Sequence, residues 1–405
     1  PASGAGFFTI ECNYNNMPRN ITVGIDIGTY QTRTVVAEWA KGNEKMRIVG
    51  TGVSSSDGLR RGNIEHVEDA ARALGESVKR AERVAGIKIS SAAFAFGGAS
   101  LSSVLSRGQV VVSGEASEIA SHDIDRAIEA SHAVLLPLAN KTILHQIPVT
   151  FRVDNAILTH APKGLVGSRL EVDTLFVTGL VPHAENVVAV ANLAGIEVLS
   201  ITAAPIAAAQ AVLSKRQKEV GVLLLDIGGG SVGLVVYEEG LPISVGTIPI
   251  GGAAITNDLA IGFRIGIDDA ETLKQSYDSY QGQEKKKVEE IIKARLSDIF
   301  ELVYKHLERI RRDRLLPAGV VLTGGGANLF GIQDMARHEL ELPIEKGRFS
   351  GIETVRGDLL DSSWSTAIGL CLIARDNRKN YSGVFGIPVT NTGSKIARWF
   401  RAFLP

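Results

Sequence analysis

The chain has 405 residues, 45% apolar and 21% charged, with 43 Lys and Arg against 44 Asp and Glu. That composition suits a soluble chain of two to three domains. The near-zero balance excludes a chain-wide nucleic-acid surface, which depends on neutralising many phosphates. Two cysteines, Cys12 and Cys371, leave no disulfide framework and point to a reducing compartment. No run approaches the roughly 18 to 20 apolar residues of a spanning helix, so the body is expected to be cytosolic.

Residues 1–16 differ in character from the remainder of the chain; Met17 is read as the natural start, and 1–19 as an extension expected to lack order. ITVGIDIGTYQTRTVVAEW, residues 21–39, then predicts a β-hairpin: an apolar run ending in Asp26, a glycine-bearing tight turn, and a β-branched return. Residues 101–180 carry strands of their own, such as ILHQIPVTFRVD, and a helix around 123–135, and read as an inserted module. GVLLLDIGGGSVGLVVYEEG, residues 221–240, repeats the first hairpin, with Asp226 ahead of the turn. Apolar spacing predicts a helix over 283–314, with the basic runs 285–287 and 311–314 on solvated faces. VVLTGGGANLFGI, residues 320–332, places three glycines between a strand and a helix. Residues 377–393, rich in Asn, Gly, Ser and Lys, predict a mobile linker.

Glycine-rich turns expose successive backbone N–H groups that form a concave anion site. Two such turns clamp a polyphosphate from opposite sides. Asp26 and Asp226 then face the same phosphates, which makes chemical sense with a bridging Mg²⁺ held mostly through water. Gly324, Gly325 and Gly326 bare the backbone for a flat base or ribose. A single such turn is ordinarily turn chemistry alone; three in this order, two of them preceded by Asp, form a specific pattern.

DIGTYQT, DIGGGSVG and LTGGGANL resemble the phosphate 1, phosphate 2 and adenosine motifs of the actin, heat-shock chaperone and sugar kinase superfamily. Within it the chain is similar to the FtsA family of bacterial cell-division proteins over nearly all of residues 20–405, through ITNDLAIG in 248–274, HQIPVTFRVD at 145–154 and the terminal KIARWFRAFLP. The resemblance implies an α/β, actin-like two-domain ATPase fold with an inserted 1C subdomain and a C-terminal amphipathic helix. Its implied divisions are 1A at 20–101, 181–213 and 363–376, 1C at 102–180, 2A at 214–245 and 318–362, 2B at 246–317, a linker at 377–393 and the helix at 394–405. It further implies that Asp26, Gly28, Thr29, Tyr30, Gln31, Asp226, Gly228, Gly229, Gly230, Ser231, Gly252, Gly324, Gly325, Gly326 and Ala327 contact ATP. Glu271 and Lys274 reach ribose and adenine, unless they are only an exposed ion pair one helical turn apart. Arg295 meets the FtsZ C-terminal tail, or else makes a surface salt bridge. The implied function is a self-polymerising adaptor that tethers FtsZ filaments at the inner face of the cytoplasmic membrane, with 1C meeting a neighbouring protomer or later division proteins.

The chain departs from its relatives where hydrolysis would be organised. Gly233 stands where a second acidic residue is common, Ala204 where a Glu precedes Pro, and Tyr30-Gln31 where Ser-Lys is frequent. Without a general base, ATP is expected to bind and turn over slowly or hardly at all. Alternatives are a PilM-like type IV pilus adaptor and a small-molecule kinase of the same superfamily.

The terminal GSKIARWFRAFLP has its own logic. At about 100° per residue, Ile396, Trp399, Phe400, Phe403 and Leu404 share one arc, opposed by Lys395, Arg398 and Arg401. A cationic and aromatic helix without acidic residues suits an anionic bilayer surface better than the protein's own core.

Overall fold

The computed structural model describes residues 20–39, 45–113, 117–135, 140–158, 160–276, 281–354 and 361–381. Two sheets share one design. In the first, Ile21–Ile27, Gln31–Trp39 and Met46–Ser55 form an antiparallel meander; Ser91–Phe96 and Glu197–Ala203 extend it in parallel, and Ile352–Thr354 closes the opposite edge. In the second, Val222–Ile227, Val232–Glu238 and Leu241–Ile248 repeat the meander, and Val320–Thr323 and Ile344–Lys346 add in parallel. Both hairpins form as the sequence predicts.

The near-continuous apolar runs are explained by burial on both faces, because successive strand side chains point to opposite sides. Val222 and Leu224, with Val235 and Tyr237, join the core of the first lobe. Leu223 and Leu225, with Leu234 and Val236, face a second core against the helices Gly252–Phe263, Gly282–Arg309 and Ile332–Leu340. Between the lobes run the helices Ala204–Val212 and Ser365–Tyr381, whose small residues allow close approach. A Cβ on Gly24 would lie 2.1 Å from the Ala367 carbonyl oxygen, so the first strand meets this helix only as glycine.

The helix Gly282–Arg309 buries Val288, Ile292, Leu296, Ile299, Phe300, Val303 and Leu307, a stripe at helical spacing. Burying Phe300 alone contributes about 2–3 kcal/mol. The helix stops short of the predicted end: Arg311 and Arg314 both have φ of 57°. Residues 311–314 are therefore not a helical face. Arg312 pairs with Glu238, and Arg314 Nη2 lies 2.6 Å from Glu341 Oε1. The basic run 285–287 does lie on the helix, with Lys286 and Lys287 exposed as expected, and the Lys287 ammonium also sits 4.5 Å from the Phe263 ring centre. At the other end, the helix Ser365–Tyr381 runs into the stretch expected to begin a linker at Asn377.

Strands between Ser102 and Leu180 make a separate antiparallel sheet, with the helix Ser121–Val134 on one face. Its other face carries a charge ladder in which Asp173 accepts from Arg107 and Arg152, each at 2.7 Å. Among the described residues no helix is long and apolar enough to cross a membrane. The N-terminal extension and the terminal amphipathic segment, Lys395 to Leu404 included, lie outside the described residues.

Candidate functional site

Each hairpin turn ends a strand in the middle of its sheet, and the strand-to-helix glycine turn lies beside the second. Asp26 stands opposite Arg33 and Asp226 opposite Gly233, with Thr323 next to Asp226 on the other side. The turns open onto one cavity of about 760 Å³, lined by Asp26, Gly28, Thr29, Tyr30, Gln31, Asp226, Gly228, Gly229, Gly230, Ser231, Gly252, Glu271, Lys274, Gly324, Gly325 and Gly326. Ala327, expected beside them, is buried behind the wall at 4% exposure, and Asn328, Leu329 and Phe330 line the cavity instead.

The two hairpin turns touch. The first turn is also held from its own lobe, where the Gly62 amide, between the short strands Leu59–Arg60 and Asn63–Ile64, donates to Thr29 Oγ1 at 2.8 Å. A Cβ on Gly230 would fall 2.6 Å from that oxygen, and one on Gly229 3.0 Å from Tyr30 Cβ, so side chains here would push the turns apart. The second turn in turn seats the helix Gly252–Phe263: Gly252 N donates to the Gly228 carbonyl at 3.0 Å and Ala253 N to that of Gly229 at 2.7 Å.

Asp26 and Asp226 are half-buried at the cleft floor, with protein packed around their carboxyl groups. Burial, reinforced by the neighbouring Asp226 charge, pushes Asp26 up to about 7, against the lowering effect of Arg33. Burial also raises Asp226, opposed by the Thr366 hydroxyl, which donates to its Oδ2 at 3.0 Å, and by Arg33. The Asp226 charge disfavours ionisation of Asp26, a penalty that a divalent cation would relieve. Among the described residues no cluster of three or more His, Cys, Asp or Glu could hold a metal. A cation here would complete its shell with water and ligand oxygens, which fits Mg²⁺.

Position 31 lacks the cation frequent in relatives, and a cation stands two residues further along the strand, at Arg33. Arg33 lines the cavity, donates from Nη2 to Gln31 Oε1 at 2.7 Å, and stacks its guanidinium 5.6 Å from the Trp364 ring centre. Alternation along the strand places 31 and 33 on one face, which was the available signal. Gly97 and Gly98, after the strand Ser91–Phe96, were a fourth glycine turn in plain view; Asp361, Ser363 and Thr366 carried no motif.

The two positions that lack acids lie side by side. A Cβ on Gly233 would come 2.8 Å from Pro205 Cγ, and Ala204, Pro205 and Gly233 all line the cleft. The proline ring occupies the space that an acidic side chain at 233 would need.

Glu271 and Lys274 are not an exposed pair. Their side chains are 21% and 10% exposed, and Lys274 Nζ donates to Glu271 Oε2 at 2.6 Å and to Thr256 Oγ1 at 2.8 Å. The three hydrogen bonds that Glu271 accepts, from Lys274, Thr256 and Gln275, hold it below the usual carboxylate range despite burial. Arg295 lies away from the cleft. Its guanidinium grips Asp258 with two hydrogen bonds, at 2.7 and 3.0 Å, and reaches Asp298 at 3.0 Å.

The family model described as cell division protein FtsA matches residues 223–369, and that of the SHS2 domain inserted in FTSA matches 98–178. Over 385 residues the chain is 32% identical to cell division protein FtsA of Borreliella burgdorferi, covering 90% of this chain and 93% of that one. The chain belongs to the FtsA family of cell-division proteins. Its FtsA relative in Bacillus subtilis is 31% identical over 380 residues, 88% of this chain and 84% of that one. Among solved structures, a PilM-PilN type IV pilus biogenesis complex matches at TM-score 0.65 and 17% identity, covering 88% of this chain and 98% of that one. MreB5 of Spiroplasma citri bound to ADP matches at TM-score 0.54 and 14% identity, covering 91% and 100%. At such identities these neighbours establish the actin-like fold, and the FtsA relatives establish the family.

Proposed function

We propose that this FtsA-family chain binds Mg-ATP in the cleft as a structural ligand, and that it polymerises and tethers FtsZ filaments to the inner face of the cytoplasmic membrane. The observation that carries the reading is the convergence of three glycine turns and two carboxylates on one cavity. Turn amides suit the phosphates, Asp26 and Asp226 would hold Mg²⁺ through water, and the bare backbone of Gly324 to Gly326 suits a flat base. The MreB5 neighbours were solved bound to ADP and to AMPPNP. When bound, Mg²⁺ supplies neutralisation of phosphate charge. Slow turnover is supported by the absence of an acid at 204 and 233 and by the proline that fills the space beside them.

Membership in the FtsA family favours division over the pilus and kinase alternatives. The terminal helix is the membrane anchor in this reading. Three cations contribute roughly 1 kcal/mol each at an anionic surface, less the cost of ordering so short a helix. One tail is then a weak anchor, and a filament of protomers gains avid attachment through effective concentration. Arg295 would exchange its partners Asp258 and Asp298 for acidic groups of the FtsZ tail. Co-sedimentation with anionic liposomes, with FtsZ, is the test. Pelleting of the full chain, lost on deleting residues 394–405 with the fold intact, supports the tether; unchanged pelleting refutes it.

A further inference from the structure

Tyr30 belongs to the first lobe by its backbone and reaches the second by its side chain. Its carbonyl accepts from the Ser56 amide at 3.2 Å, which fixes it beside the strand Met46–Ser55. Its side chain passes over the second turn, where the bare Gly229 leaves it room, and the phenol oxygen accepts from Gln275 Nε2 at 3.1 Å. Gln275 ends the helix Ile267–Gln275. The same amide nitrogen donates to Glu271 Oε1 at 2.8 Å, and Glu271 is held by Lys274 and Thr256. Gln275 is thus aimed before it meets Tyr30.

The tie lies at the mouth of the cleft, with Tyr30 50% exposed. At the cleft floor, the halves are joined by the Thr366 hydroxyl donating to Asp226 Oδ2 at 3.0 Å. A rotation about that floor that widened the mouth would break the Tyr30–Gln275 bond. We propose that Tyr30 and Gln275 form a latch across the cleft mouth that sets how fast nucleotide enters and leaves. This rests on the reading of the cleft as a nucleotide site.

A latch differs kinetically from a direct ligand contact. Because it must open for passage in either direction, its loss speeds association and dissociation together. Loss of a ligand contact speeds dissociation alone and weakens affinity in proportion. One neutral hydrogen bond corresponds to about a 2- to 10-fold change in rate.

The experiment is stopped-flow binding and release of a fluorescent ATP analogue with Mg²⁺ by the full chain, by Tyr30→Phe, by Gln275→Met and by the double variant. Expected is faster entry and faster release in each single variant, by about 2- to 10-fold, with the double no faster than the faster single. Unchanged rates would overturn the latch alone. So would additive effects of the two substitutions, or a rise in dissociation only, either of which would make Tyr30 or Gln275 a separate ligand contact. No analogue binding by the unmodified chain would overturn the nucleotide reading and the latch with it.

Discussion

Gly324→Ala tests how tightly the floor of the cleft is built. Gly324 has φ of +81°, and a Cβ there would sit 2.4 Å from Asp226 Oδ1 and 2.6 Å from the Ile227 carbonyl oxygen. Two costs combine. Holding an L-residue at the positive φ and extended ψ of 172° found at Gly324 costs about 1–3 kcal/mol, and forcing a methyl into filled space costs about 1–3 kcal/mol. Gly331 is the uncrowded comparison: its backbone is left-handed helical, φ 67° and ψ 2°, with nothing within 4 Å of its would-be Cβ. Gly331→Ala should therefore lose about 1–2 kcal/mol, and Gly324→Ala about 2–6 kcal/mol in all. The displaced carboxylate is Asp226, so Gly324→Ala should also weaken Mg-ATP binding while Gly331→Ala should not. Urea unfolding followed by tryptophan fluorescence gives the stabilities, and calorimetric titration gives the affinities. Equal losses in the two variants, or unchanged ATP affinity in Gly324→Ala, would refute the claim that the glycine cluster packs directly on the carboxylate.

Further outcomes concern the charges. Asp26 has its pKa raised in the folded chain to about 7, so the folded state holds the proton more tightly than the unfolded one. Its contribution to stability is complete below the ordinary carboxylate range and is lost as pH rises towards 7. Asp26→Asn should therefore be increasingly stabilising, relative to the unmodified chain without nucleotide, between about pH 4 and 7; a flat difference in urea midpoint across that range would contradict it. Thr366→Val removes the hydroxyl that donates to Asp226 Oδ2 and should cost about 1–3 kcal/mol, read in the same unfolding assay. Arg295→Ala breaks ion pairs whose arginine side chain is 29% exposed, and should cost no more than about 1 kcal/mol of stability while weakening FtsZ-tail peptide binding in fluorescence anisotropy by at least several-fold. A large stability loss with unchanged peptide binding would reduce Arg295 to a structural role.

Much of the fold was legible because its signals are local. Asp26 and Asp226 each end an apolar strand before a glycine turn, and that pattern alone specified two hairpins of one design. The sequence also showed which acids were missing. It did not show that Pro205 fills the space beside Gly233, because that contact joins residues of different lobes. Arg33 is not legible from the turn motif, which ends at position 31, because its place in the cleft comes from the strand presenting 31 and 33 on one face. Ala327 was placed by its adjacency to the glycines, yet the short 3-10 turn Gly325–Asn328 rotates it inward and offers Asn328 to the cleft. The helix Gly282–Arg309 ended earlier than its periodicity because Arg311 and Arg314 take left-handed backbone, which apolar spacing does not report.

The central claim is that the cleft holds Mg-ATP without consuming it. Calorimetric titration of ATP into the full chain, with and without Mg²⁺, combined with phosphate release by the same sample, tests it most directly. One-site, Mg²⁺-dependent binding that is lost in Asp26→Asn with Asp226→Asn, with phosphate release well below roughly 1 s⁻¹, is the expected result. No binding, or sustained turnover at or above about that rate, would contradict the account.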